Sequence, residues 1–388
     1  MTMSLFAKGF MALRALATRR VTIDCDRMPF LFEDVPLRKI LNWILVEASI
    51  LVKPDKPWGW PTHVQLEPTN GCNLECVLCP VTDGLERPVR HMEPRTFRQL
   101  IDELAQHLFI ILLWDWGEPF LNPSVYDMIS YAKARKIAVI SSTNGHVFAA
   151  GDHAERLVLS GIDCVIVAVD GVTQTSYEQY RQGGDLDAVT RGIRNILKAR
   201  DALGSRTPIV DLRFIVMRHN EHEIPQLQEF SRSLGVDALT LRTLCTYDDG
   251  EYCVTEVDGS AFVPENPAYQ PFTLDPIGHS PMRRKVNPCK VLWNNPAIHS
   301  DGKVFACTFD PHGRTPLGDL GETAFGDIWW GSAYRELRRR FRTDYQGLAL
   351  CRDCTYAFEG GSMGEERDRE AYFFNTQPGG SSRSPAAG

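Results

Sequence analysis

An α/β fold built on a parallel sheet is predicted by two features of the chain. From Pro61 onward, short apolar runs alternate with helical stretches, and those stretches have recognisable ends. The apolar runs lie at residues 63–67, 109–114, 138–141, 163–169, 210–217 and 238–244. Between them the spacing predicts helices over 94–106, 124–135, 154–159, 186–203 and 223–234. Pro94 suits a first helical turn, while Gly161, Gly204 and Gly235 stand where helices stop. Strands joined by helical crossovers pair in parallel, with the helices outside. Six strands fall short of a closed eight-fold barrel. The expectation is therefore an open, partial (β/α)6 barrel whose ligands gather at the C-terminal ends of its strands.

This rhythm divides the chain. Residues 1–60 read as a helical segment, 61–245 as the partial barrel and 246–288 as a bridging region rich in Pro, Gly, Asp and Tyr. Residues 289–360 form a small cysteine-bearing module, and 361–388 a tail whose Gly-Gly-Ser-Ser end has the composition of disorder. The first twenty residues carry Lys8, Arg14, Arg19 and Arg20 and no acid. Leu5, Phe6, Phe10, Leu13 and Leu16 make them a basic amphipathic helix, docked on its own domain or lying on an anionic membrane surface. They lack the unbroken apolar core of a secretory signal. The most apolar segment, residues 37–52, is interrupted by Arg38, Lys39 and Glu47 and is too short to span a bilayer.

Composition narrows the function. At 388 residues, 43% hydrophobic and 23% charged, the chain has the make-up of a globular protein, and its net charge of −7 argues against a nucleic-acid partner. Eleven cysteines at uneven spacing do not suit a disulfide framework. Clustered thiolates in a reducing compartment, here the cytoplasm, suit metal ligation. Cys25 and Cys164 instead read as core thiols.

The first cluster is Cys72-Asn73-Leu74-Glu75-Cys76-Val77-Leu78-Cys79, directly after the first strand. Three thiolates on one loop leave the fourth iron of a cubane open, and no further cysteine occurs before Cys164. Zinc is the alternative, although its sites usually show paired C-x-x-C knuckles. This loop, on a partial barrel, resembles the radical S-adenosylmethionine (SAM) superfamily. The resemblance runs from residue 61 to about 244. Trp114-Asp115-Trp116-Gly117-Glu118-Pro119 resembles the family's Gly-Gly-Glu-Pro motif, with Trp116 in place of its first glycine. Ser142-Thr143-Asn144-Gly145, Asp170-Gly171 and Tyr180-Arg181 follow strands three and four in family order. The resemblance implies a [4Fe-4S] cluster on Cys72, Cys76 and Cys79. It also implies SAM held by Trp116, Gly117, Glu118, Pro119, Thr143, Asn144, Asp170 and Arg181, with Glu118 near the SAM amino group. Leu78 stands where the family often has an aromatic residue near adenine.

The second group is Cys289, Cys307, Cys351 and Cys354, enough to close every position of one cluster. Cys289 followed by the element from Gly302 to Cys307, with a hairpin turn at Asp301-Gly302, resembles the SPASM module of radical SAM enzymes. No cysteine follows Cys354, so the resemblance is to the shortened, twitch-like version with one auxiliary [4Fe-4S] cluster; a four-cysteine zinc site is the alternative.

What the resemblance implies is a 5′-deoxyadenosyl radical that abstracts hydrogen from a small sugar-, polyol- or lipid-like substrate, with two-electron oxidation through the auxiliary cluster. A flavodoxin or ferredoxin would supply the electron. Peptide or protein maturation, and redox-neutral epimerisation or dehydration, are the alternatives. A small molecule is preferred because residues 1–60 read as helices without a β-rich peptide-binding module. Cys245, Tyr247, Asp248 and Cys253 in the bridging region are the candidate catalytic groups.

Overall fold

The computed structural model describes residues 5–244, 259–270, 272–273, 275, 281–361 and 368–374. Cys245, Tyr247, Asp248 and Cys253 lie outside the described residues, as does the tail from residue 375.

Before the barrel come α1 (Leu5–Thr18), β1 (Val21–Cys25), β2 (Met28–Phe32) and α2 (Leu37–Val52). The barrel strands are β3 (His63–Leu66), β4 (Ile110–Leu112), β5 (Ala138–Thr143), β6 (Cys164–Ala168), β7 (Ile209–Val216) and β8 (Ala238–Thr243), all parallel and in sequence order. Between them lie α3 (Pro80–Asp83), α4 (Pro94–Leu104), α5 (Val125–Lys133), α6 (His153–Leu159), α7 (Gln174–Tyr180) and α8 (Leu186–Ala202); α9 (Ile224–Leu234) precedes β8. The partial barrel expected from the periodicity is present.

Both faces of its strands are apolar because both are covered. Val64, Ile111, Val139, Val165 and Val210 pack with the outer helices, including Phe97 and Leu100 of α4. Ile110, Ile140, Cys164 and Ile166 face inward and meet Val21, Ile23, Cys25, Met28 and Phe30 of the N-terminal hairpin. Residues 1–60 are therefore not helical throughout. β1 and β2 pair antiparallel around Asp26 and Arg27, whose φ values of 49° and 62° form the turn. With no Gly or Asn at that turn and only five residues in each strand, the hairpin signal in the sequence is faint. Burial stabilises it: alternate β1 residues enter the barrel interior. At its tip Asp26 accepts from Arg242 at 2.7 Å and lies 3.5 Å from Arg213, which also pairs with Asp211 at 3.0 Å. These buried charges are paired within the barrel, as the cost of desolvation requires.

The C-terminal module continues the same sheet. It contains α10 (Val291–Asn294), β9 (Ala297–Ile298), β10 (Lys303–Phe305), β11 (Gly318–Asp319), α11 (Phe325–Trp329), α12 (Ser332–Asp344) and α13 (Ala349–Arg352). β9 pairs in parallel with β3, and β10 returns antiparallel through the turn that ends at Gly302, whose φ is 88°. β12 (Asp368–Phe373) lies in the segment read as tail and pairs antiparallel with β8. Among the described residues the sheet thus has ten strands.

Candidate functional site

The Cys72–Cys79 loop leaves the C-terminal end of β3 and is held by three neighbours. Glu75 and Val77 amides donate to the carbonyls of Gln182 and Tyr180 at 3.0 and 3.1 Å. Asn144, just past β5, donates to Asn73 at 2.8 Å and places its amide 4.0 Å from Cys72 Sγ. Arg181 lies 3.7 Å from Cys76 Sγ while its Nε donates to Asp170 at 2.6 Å. Asp170 is itself fixed by the Ile215 amide at 2.7 Å. The three thiols are free and pack with Leu74, Leu78, Tyr180 and Met217. Burial pushes Cys79 up to about 12, with Cys76 beside it adding to the shift. A thiol raised in this way stays protonated unless a metal takes the place of the proton, which fits ligation of Cys79 as a thiolate.

Glu118 stands beside this loop. Its amide donates to the Gly71 carbonyl at 2.8 Å. Its carboxylate is buried and accepts from Thr143 Oγ1 at 2.8 Å, the Asn144 amide at 2.7 Å and the Phe120 amide at 3.2 Å. Burial pushes the acid up to about 7 against those donors. Gly117 has φ of 94°, and a Cβ there would lie 2.5 Å from the Thr69 carbonyl oxygen. Only glycine lets the motif lie this close to the strand that leads into the cysteines. Pro119 opens the short turn that Glu118 caps.

Trp116 takes another direction. Its indole Nε1 donates to the Thr308 carbonyl at 3.0 Å, and its ring packs into the apolar cluster around Cys289, Cys307, Cys351 and Cys354. The side chain grouped by resemblance with the SAM contacts thus belongs to the second cysteine group. Those four thiols come from three segments: before α10, after β10, and α13 with the residues following it. Burial pushes Cys289 up to about 12, followed by the influence of Cys354, and Cys307 is raised by burial and then by Cys289 and Cys354. Asn287 steadies the group, accepting from the Cys289 amide at 2.9 Å and placing its own amide 3.7 Å from Cys354 Sγ. Four thiols that influence one another electrostatically, in an aromatic shell with Trp293 and Phe341, fit a fully ligated cluster.

A buried junction between the two sites escaped sequence reasoning. Glu67, just after β3, is held by both Arg87 guanidinium nitrogens, by the Ser300 amide at 3.0 Å and by the Ser300 hydroxyl at 2.8 Å. Asp115 accepts from the Thr308 hydroxyl, and its second oxygen lies 3.7 Å from His299 Nε2. Both His299 nitrogens are buried without a hydrogen-bond partner among the described residues. Burial, reinforced by Glu67, pushes Asp115 well above the usual carboxylate range; burial and the Arg87 charge hold His299 down at about 3. Glu67, Asp115 and His299 together have the donor types of a metal site. Arg87 already engages both Glu67 oxygens, however, which makes this an ion-paired junction between barrel and module. The available signal was an acid, Asp115, flanked by two tryptophans at the end of an apolar run.

A parallel partial barrel with three thiols at one strand end and four in an appended module has the donor sets of an iron–sulfur enzyme. Comparison agrees: the radical SAM superfamily model matches residues 66–230, and the SPASM model, described as an iron–sulfur cluster-binding domain, matches residues 289–355. The chain belongs to the radical SAM superfamily and carries a SPASM-type domain, so it is a radical SAM enzyme whose family implies SAM and iron–sulfur clusters.

Among its relatives, the mycofactocin maturase MftC of Mycobacterium tuberculosis is 26% identical over 331 residues, 78% of each chain. The tungsten-containing aldehyde ferredoxin oxidoreductase cofactor-modifying protein of Pyrococcus furiosus is 26% identical over 318 residues, 76% of this chain and 87% of that one. In fold the chain is similar to Streptococcus suis SuiB bound to SAM, with a TM-score of 0.57 at 15% identity, covering 94% of this chain and 87% of SuiB. SuiB has also been solved with its precursor peptide SuiA.

Proposed function

We propose that the enzyme matures a peptide or protein by abstracting a hydrogen atom from it. The observation that carries this reading is the similarity to a maturase over 78% of this chain, together with matches to the radical SAM and SPASM models. The sequence by itself favoured a small molecule, for want of a β-rich segment ahead of the barrel. The β1–β2 hairpin removes part of that objection.

In this reading residues 61–245 generate the radical and residues 289–360 hold the auxiliary group. Cys72, Cys76 and Cys79 would hold one [4Fe-4S] cluster and Cys289, Cys307, Cys351 and Cys354 a second. SAM held at the open iron would supply a 5′-deoxyadenosyl radical, with methionine as the leaving group and one electron from a flavodoxin- or ferredoxin-type donor. Glu118 receives the SAM ammonium, with Thr143 and the Asn144 amide orienting the carboxylate. Arg181, fixed by Asp170, places positive charge beside Cys76 and offsets the anionic character of ligated thiolates. Four closing cysteines leave the second group no position for a substrate ligand, which suits electron transfer. The barrel wall excludes water and holds the target carbon near the radical.

The test is to incubate the reduced, reconstituted enzyme with SAM and either the peptide fraction or the small-molecule fraction of its own cell extract. A SAM-dependent mass change confined to peptides supports maturation. Consumption of a small molecule with no peptide altered overturns it. The mass change also decides the reaction type: a loss of two hydrogens marks oxidation, and an isomeric product marks rearrangement.

A further inference from the structure

α2 is apolar on both sides, yet only one side is covered. Ile40, Trp43 and Val46 face the protein interior. On the opposite arc lie Leu37, Leu41, Ile44, Leu45, Ala48, Leu51 and Val52, with no polar side chain among them. Leu37, Leu41, Leu45, Leu51 and Val52 are between 43% and 57% exposed. The arc runs the length of the helix, about 22 Å. A helix with a second apolar arc left exposed presents contiguous apolar surface, which marks a docking site. α1 lies alongside, tied by Lys8 to Glu47 at 2.9 Å, and adds Phe10 at 63% and Leu13 at 68% exposed. Trp58, just beyond α2, is 48% exposed.

Charge identifies the occupant. Residues 1–53 hold eight Lys and Arg against five Asp and Glu, a net of +3, so the remaining residues carry −10 of the chain's −7. The described part of α1 has no acidic residue, and Arg14 is exposed on it. A basic, apolar face on an otherwise acidic protein complements an anionic lipid surface: the leucines enter the acyl boundary and the guanidinium groups stay among the headgroups. An acidic second copy of the chain lacks that complementarity over most of its surface. No described helix is long and apolar enough to cross a membrane, so the contact is peripheral.

We propose that the outer face of α1 and α2 docks the enzyme on an anionic membrane surface, independently of the substrate it modifies.

The test is flotation of the full-length, reconstituted enzyme with phosphatidylcholine vesicles, with and without phosphatidylglycerol, at low and high ionic strength. The enzyme should float with the phosphatidylglycerol vesicles, less so at high salt. Leu41→Glu combined with Leu45→Glu should lower partitioning by about tenfold or more, and Arg14→Glu with Arg19→Glu should weaken it at low salt. The leucines are exposed, so thermal unfolding and substrate-free SAM cleavage of that variant should match the parent. Failure of the parent to float, or equal flotation of the leucine variant, overturns the proposal. Self-association seen by sedimentation velocity and lost with the same leucines, in a parent that does not float, assigns the face to a second copy and equally overturns it.

Discussion

The Trp116 indole donates to the Thr308 carbonyl at 3.0 Å, joining the residue two before Glu118 to the residue after Cys307. One tryptophan therefore connects the Glu118 motif to the second cysteine group. The superfamily motif has glycine at this position, so here the junction between barrel and module gains both a donor and a large apolar ring.

Trp116→Phe keeps the apolar contact and loses the donor, so it should cost about 1 kcal/mol. Trp116→Gly restores the family residue and removes the ring, costing about 3 kcal/mol. Thermal unfolding of the reconstituted enzyme measures both. Equal stability of the glycine variant and the parent would mean that the contact does not hold the module.

Anaerobic reconstitution should give about eight irons per chain. Replacing Cys72, Cys76 and Cys79 with Ala should leave about half, and replacing Cys351 and Cys354 should remove the other half. Zinc in the C-terminal site, found by elemental analysis, would end the reading of that site as an iron–sulfur centre.

Glu118→Gln keeps the shape of the side chain and removes its charge. SAM affinity, measured by anaerobic titration calorimetry, should fall by about 10- to 100-fold, the scale of a charge-assisted hydrogen bond. Glu118→Ala should in addition lower thermal stability, because Thr143 and the Asn144 and Phe120 amides lose their acceptor. Unchanged SAM affinity in the glutamine variant would remove Glu118 from the binding site.

His299 sets a pH dependence of stability. Its folded-state pKa of about 3 lies below the ordinary 6.5, so the unfolded chain takes up a proton there that the folded one refuses. Stability from this residue is present above 6.5 and is lost as pH falls from 6.5 toward 3. Unfolding midpoints of His299→Gln and the parent, compared between pH 7 and 5, should show a shallower acid decline in the variant. Parallel declines would place a charged imidazole in the folded state.

Much of the barrel was legible because its signals are local. An apolar run followed by an amphipathic helix reports burial within a few residues of chain, and β3 to β8 lie within a residue or two of the expected runs. The Cys72–Cys79 loop was legible for a related reason: three thiols on one loop need no folding to become neighbours. The β1–β2 hairpin was not legible, because five-residue strands around Asp26 and Arg27 gain their stability from a barrel interior built much later in the chain.

The sequence by itself determined the strand–helix order and the placing of three thiols on one loop. Periodicity and spacing are properties of short stretches. Only the tertiary structure decided that the hairpin fills the barrel, that β9 and β12 extend the sheet at β3 and β8, and which way Trp116 points. It also brought Asp115 to His299 and Glu67 to Arg87. Trp116 and Thr308 are 192 residues apart, and a hydrogen bond or desolvated charge at that separation exists only after the chain has closed around it.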